Sequence, residues 1–396
     1  MGKQMEPPTN CQKYGVPLYG AAWVPSSAIR SDANPTQEGE RRDGKDEPSA
    51  EGSPPSFKAE KYLVFAGGGG EGRSGIPNAL LLAHFDFDSN SLSDQPVAKL
   101  ETGTDLPYRM AVHPGGDGVI CSLPKSCRRI DWDTVKSTNL CKWGLKMSGN
   151  VLTQLEDVGQ QLALTFNAEG SVLAVGGEDG KLRVFKWPNM EIILDEANAH
   201  ASVKDLDFST DGKFLVSVGS GSHGRVWDVA SRAPVASLSK ENDEVFGFCR
   251  FSKDASKDQV LYITSMRGQG GSIVKWDTST WQRMSSKLVV RDPVSAFNIS
   301  ADGKLLAIGT IQGDIFIVNS ANMHVLNMVR KAHLGLVTAL MFSQDSRALV
   351  SASLDSSARV TLIKDEKKTG LSLWVIILIV FLAVAVYYMK AEGILP

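Results

Sequence analysis

The chain has 396 residues, 42 basic and 44 acidic side chains and a formal net charge of −2. No Lys/Arg block falls on a predicted element, so the electrostatic footprint of a nucleic-acid-binding domain is missing and a nucleic-acid partner is not expected. The five cysteines, Cys11, Cys121, Cys127, Cys141 and Cys249, are odd in number and lack CxxC spacing. That argues against a disulfide framework or zinc site and fits a reduced cytosolic domain.

In chain order, the first apolar run is Gly20 to Val24, read as a strand whose partner, Lys61 to Ala66, arrives only after the stretch from Pro25 to Lys58. That stretch holds Ile29 and Phe57 near its ends and otherwise almost no large apolar residue. Residues 25–58 are therefore expected to be a disordered insert, because they bury too little to offset the ordering entropy of the backbone.

Between the strands KYLVFA and NALLLAHFD lies Ala66-Gly67-Gly68-Gly69-Gly70-Glu71-Gly72-Arg73-Ser74-Gly75-Ile76-Pro77-Asn78, where a tight hairpin is expected. Gly70 to Gly75 matches a GxGxxG fingerprint and follows a strand. The match fails on context, since Pro77 and the β-rich run after it exclude the helix whose N-terminus would meet a pyrophosphate. No Gly-Lys-Ser/Thr follows, so a P-loop is excluded too. Residue types alone leave two readings open: a wide hairpin that the glycines merely permit, or a loop whose backbone approaches a partner or an ion closely.

Beyond this loop one pattern recurs six times, beginning at Arg109, Ala163, Asp205, Phe248, Ala296 and Ala339. Each copy is an apolar strand, a turn, a second apolar strand, a polar turn and a third strand. Equivalent apolar positions fall at Val112, Phe166, Phe208, Phe251, Ile299 and Phe342, with separations of 54, 42, 43, 48 and 43. Asp179-Gly180, Asp211-Gly212 and Asp302-Gly303 supply hairpin turns, and no helical period intervenes. Units of this length ending in Trp-Asp are the signature of WD-repeat propellers. Trp132-Asp133, Trp227-Asp228 and Trp276-Asp277 provide such ends, whereas Phe185-Lys186 and Val318-Asn319 have drifted.

With the split copy at the front, seven blades close a ring, and residues around Lys13 to Leu18 are expected to supply the strand missing from the last blade. His200 and His333, just before the first strands of their repeats, are read as members of structural hydrogen-bond networks. No nucleophile with an attendant base stands at a recognisable spacing, so covalent chemistry and catalytic residues are not expected. Asn298-Ile299-Ser300 matches a glycosylation sequon but falls inside a predicted strand on the cytosolic side, and is read as a chance match.

Last comes Leu371 to Met389, LSLWVIILIVFLAVAVYYM, nineteen uncharged residues. A spanning helix needs about 20 apolar residues. Arg359, Lys364, Lys367 and Lys368 precede the segment and Lys390 alone follows it, which orients residues before it to the cytosol. The fold expected is thus an all-β, seven-bladed WD-repeat β-propeller with one C-terminal transmembrane helix. The propeller would span 13–364, a juxtamembrane spacer 365–370, the helix 371–389 and a lumenal tail 390–396. So little chain after the span is the arrangement of a tail-anchored protein, and the run's length suits the thinner endoplasmic reticulum bilayer.

Propeller, oversized glycine loop and anchor together resemble the Sec-twelve family, the endoplasmic reticulum exchange factors for the Sar GTPase. DLPYRMAVHP, DVGQQLALTFN, EDGKLRVFKWPNM and KAHLGLVTAL are most similar to the plant branch, which includes the phosphate transporter traffic facilitator. The resemblance implies that Gly67, Gly68, Gly69, Gly70, Glu71, Gly72, Arg73, Ser74, Gly75, Ile76, Pro77 and Asn78 form a GTPase-contact loop. It also implies a potassium ion on the backbone carbonyls of that loop, and a role in starting COPII vesicle formation. This loop departs from other members, which carry basic residues in its second half where this chain has Ile76-Pro77-Asn78. The alternative the resemblance implies is a non-exchanging adaptor that helps specific transporter cargo leave the endoplasmic reticulum.

Overall fold

The computed structural model describes residues 8–30, 61–72, 74–137, 140–221, 223–253, 259–363, 381–382 and 384. Two compact units divide the chain, Met1–Leu362 and Ile363–Pro396. In the first, seven antiparallel sheets form. Their inner strands are Leu18–Trp23, Arg109–Val112, Gln161–Phe166, Ser202–Phe208, Val245–Phe251, Val294–Ile299 and Val337–Phe342. Each packs against the next, and the last returns to the first, so the sheets are the blades of a closed seven-bladed propeller.

Each recurring apolar position read from the sequence, Val112, Phe166, Phe208, Phe251, Ile299 and Phe342, is the last residue of an inner strand. The reason is packing between blades. Leu206, Phe208, Leu215 and Trp227 of blade 4 share one buried cluster with Ala163, Leu182 and Val184 of blade 3. Val216 and Val226 on the other side of blade 4 meet Phe246, Phe251, Ile263 and Trp276 of blade 5. A blade is therefore apolar on both faces, and its strands read as near-continuous hydrophobic runs.

The Asp-Gly turns behave as their chemistry requires. Gly212 and Gly303 sit at φ 69° and 70°. The Asp211 carboxylate accepts from the Ser209 hydroxyl and the Lys213 N–H, and Asp302 does the same for Ser300 and Lys304. Phe185-Lys186, Trp227-Asp228, Trp276-Asp277 and Val318-Asn319 all end third strands, whereas Trp132-Asp133 does not, because its strand runs on from Cys127 to Ser137 and pairs with Leu140–Met147.

Closure differs from the expectation in its residues. Cys11–Lys13, not Lys13 to Leu18, is the fourth strand of blade 7, with Cys11 opposite Arg359, Gln12 opposite Ala358 and Lys13 opposite Ser357. Gly15 at φ 76° and Pro17 interrupt the strand. Leu18 then begins the inner strand of blade 1. Among the described residues the first strand of the propeller is Cys11–Lys13 and the last is Ser357–Leu362.

The start of the expected insert differs as well. Ser26–Arg30 is a short helix, and Ala28, 3% exposed, packs beneath Gly116, where a Cβ would lie 2.5 Å from the Ala28 nitrogen. The remainder of the insert, 31–58, lies outside the described residues, as do 364–370, most of 371–389 and all of 390–396. Among the described residues no helix is long and apolar enough to cross a membrane.

Candidate functional site

The glycine-rich connection joins the second strand of blade 1, Lys61–Gly67, to the third, Asn78–Asp86. A strand, not a helix, follows it, so the pyrophosphate geometry set aside on sequence grounds does not form. Because neighbouring strands are antiparallel, this loop shares its end of the propeller with the connections that carry His200 and His333, and lies opposite the Asp211-Gly212 and Asp302-Gly303 turns.

Its base is packed. The Gly68 N–H donates to the Pro17 carbonyl at 2.9 Å, and a Cβ on Gly67 would lie 2.3 Å from that same oxygen. Gly68, at φ 151°, would place a Cβ 2.2 Å from Asn78 Oδ1, and Gly69 would place one 2.2 Å from Ser74 Oγ. Glycine is needed at these three positions because chain crosses chain without room for a side chain.

Asn78 is 3% exposed and holds the fold of the loop. Its Oδ1 accepts from the Gly70 N–H at 2.9 Å, while Nδ2 donates to the carbonyls of Gly70 and Gly103 at 3.2 and 3.1 Å. Oxygen and both N–H groups are thus satisfied, as burial demands.

Its rim is open. Gly70 and Gly75, at φ 78° and 71°, have no atom within 4 Å of where a Cβ would stand. Glu71, Gly72, Ser74, Gly75, Ile76 and Pro77 are exposed, and the Ser74 hydroxyl accepts from the Ile76 N–H at 3.3 Å. Arg73 lies outside the described residues. The eleven described positions therefore separate into an inward group of Gly67, Gly68 and Asn78, an intermediate pair of Gly69 and Gly70, and an outward group of the other six. Pro17 and Gly103 complete the seat of the loop. Sequence reasoning missed both, since nothing local marks a carbonyl that will be met from elsewhere in the chain, 25 positions away for Gly103 and 51 for Pro17.

His200 and His333 are consumed by structure. Trp227 Nε1 donates to Ser217 Oγ at 2.9 Å, and the same hydroxyl shares a hydrogen bond of 2.8 Å with His200 Nε2. In blade 7, Ser357 donates to Asp355 and accepts from His333 Nδ1, both at 2.5 Å, so Nε2 accepts from Ser351 at 2.7 Å. Burial pushes both imidazoles down to about 4, at His200 with help from the charges of Arg225 and Lys240. In blade 5 a buried carboxylate, Glu244, stands just before the inner strand. Arg283 holds it by two hydrogen bonds of 2.9 Å.

The WD domain, G-beta repeat family matches residues 156–186, 193–228 and 325–361. SEC12-like protein 2 of Arabidopsis thaliana is 52% identical over 93% of this chain and 91% of its own length. SEC12-like protein 1 of the same plant is 33% identical over 73% of this chain and 72% of its own. More distantly, guanine nucleotide-exchange factor SEC12 of Rattus norvegicus is 22% identical over 80% of this chain and 89% of its own. A propeller with this loop, matched along nearly its whole length by such relatives, belongs to the SEC12-like family.

Proposed function

We propose that the chain is a membrane-anchored guanine-nucleotide exchange factor for the Sar small GTPase, starting COPII vesicle formation at the endoplasmic reticulum. The observation that carries this reading is the division of the glycine loop into a packed base and an open rim. Exchange needs no bond-making. The factor must bind the nucleotide-free GTPase better than the loaded one, and that difference lowers nucleotide affinity reciprocally. A pre-shaped rim on a rigid seat loses little conformational entropy when a partner docks, so more of its contact energy goes into that difference.

Glu71, Ser74, Ile76 and Pro77 are the side chains the rim offers to the GTPase. A potassium ion would be held by oxygen ligands, and the backbone carbonyls of this loop are the oxygens that would supply them. The segment 371–389 would hold the propeller at the membrane where the loaded GTPase acts. Relatives described as exchange factors support the reading, at 22% identity.

A second reading, an adaptor for transporter cargo that does not exchange nucleotide, is favoured by one observation. The relatives at 52% and 33% identity are described as SEC12-like, not as exchange factors. Release of a fluorescent guanine nucleotide from purified Sar GTPase by the full-length protein in detergent micelles, in potassium and then in sodium, separates the two. Acceleration that a Glu71→Ala, Ile76→Ala variant loses is the result expected of an exchange factor. No acceleration by the folded protein leaves the adaptor.

A further inference from the structure

The axis of the propeller encloses a cavity of about 480 Å³, within the usual size range of small-molecule sites. Six charged side chains line it: Arg109, Lys204, Arg250 and Lys253 against Asp205 and Asp207, leaving two positive charges in excess although the whole chain is net negative. Position decides where the excess sits. Asp205 takes Arg250 at 2.5 Å and also accepts the Cys249 N–H, while Asp207 accepts the Phe251 N–H at 2.7 Å. These carboxylates are occupied in tying blade 4 to blade 5.

Arg109 and Lys204 have no such partner. Arg109, the first residue of its inner strand, reaches the carbonyls of Tyr19 and Thr338 through Nη1 at 3.3 Å each, and its guanidinium lies 4.9 Å from the Tyr108 ring centroid. Its other guanidinium nitrogens make no hydrogen bond, and no carboxylate pairs with it or with Lys204, among the described residues. Both cations belong to the starts of inner strands, hence to the mouth of the cavity on the end that carries the glycine loop. Two positive charges left uncompensated at a concave mouth focus field outward and favour an anion there.

We propose that this mouth is a binding site for a small phosphate-bearing anion of the diphosphate type, with Arg109 supplying directed N–H donors and Lys204 a second charge. The site is separate from the glycine loop and does not depend on nucleotide exchange.

The test is a titration of inorganic pyrophosphate into the full-length protein in neutral detergent micelles, at ionic strength held constant with sodium chloride, followed by calorimetry and thermal unfolding. Saturable one-site binding and an upward shift in Tm are expected. Lys204→Glu, at an exposed side chain, should weaken binding by at least about tenfold, as should Arg109→Gln, whereas Lys186→Glu on an outer position should leave it unchanged. Binding that never saturates, or that persists equally in folded Lys204→Glu, overturns the proposal; should Arg109→Gln fail to fold, Lys204→Glu alone decides.

Discussion

Blades 1 and 7 connect their second and third strands at the same end of the propeller, and they solve the connection in opposite ways. In blade 7 three residues, Leu354, Asp355 and Ser356, suffice, and the Asp355 carboxylate takes the Ser357 hydroxyl, the Ser357 N–H and the Leu334 N–H. His333 and Ser351 extend that network inward. In blade 1 ten residues intervene, and glycine backbone replaces side-chain chemistry at the base while the rim meets solvent. One connection spends its polar groups on its own fold. The other keeps its outer half free for something else, which is why the candidate site is placed there.

The comparison makes its largest demand on blade 7. His333→Ala removes a buried imidazole that serves two serines, and should lower unfolding free energy by about 3 kcal/mol in denaturant titration, with a matched fall in Tm. A loss within error would mean that the tight hairpin does not depend on its network.

Acid should act on this network and on that of His200 in blade 4. His200 and His333 are held at about 4 in the fold but take up protons near 6.5 when unfolded. The unfolded chain therefore binds more protons between those values, and stability falls as pH drops from about 6.5 to about 4. Burial works against the Asp355 anion, yet the hydrogen bonds from Ser357 and Leu334 outweigh it and bring that carboxyl to about 2, which extends the loss below pH 3.8. Chemical denaturation across this range measures the slope, and His333→Ala should flatten it.

Asn78→Ala strikes the seat of the glycine loop. It leaves the Gly70 N–H and the carbonyls of Gly70 and Gly103 without their partner, at a cost of about 2 kcal/mol. Amide hydrogen exchange should quicken in residues 68–77 while the rest of blade 1 keeps its protection. Unchanged exchange would show that the loop holds its shape without this side chain.

Smallest in stability is Ile76→Ala, at 36% exposure. It should move the unfolding midpoint by no more than about 0.5 kcal/mol, yet reduce nucleotide release from the Sar GTPase several-fold. A variant with lowered stability and unaltered release would assign Ile76 to folding rather than to a partner.

Much of the fold was legible before any coordinates. The positions ending the inner strands follow from alternation of apolar residues and from Asp-Gly turns, both governed by backbone conformation and burial within about twenty residues. The loop, too, stands out by composition alone. Its division was not legible, since glycines of identical type serve opposite ends: Gly68 avoids Asn78, whereas Gly70 and Gly75 face open space. Composition cannot distinguish a glycine that lets chain cross chain from one that lets a rim turn.

By itself, then, the sequence determined a repeating β-architecture, the number of blades, the place of the oversized loop and the structural histidines of blades 4 and 7, because each is written in short-range periodicity or local turn chemistry. Tertiary structure alone decided that Cys11–Lys13 closes the ring, with Asn10 donating to a carbonyl at Val360, that Pro17 and Gly103 seat the glycine loop, and that Arg283 holds the buried Glu244 of blade 5. Those choices depend on which strand edges and carbonyls remain unpaired after the blades have packed, and partners so distant in the chain leave no trace in the pattern around either one.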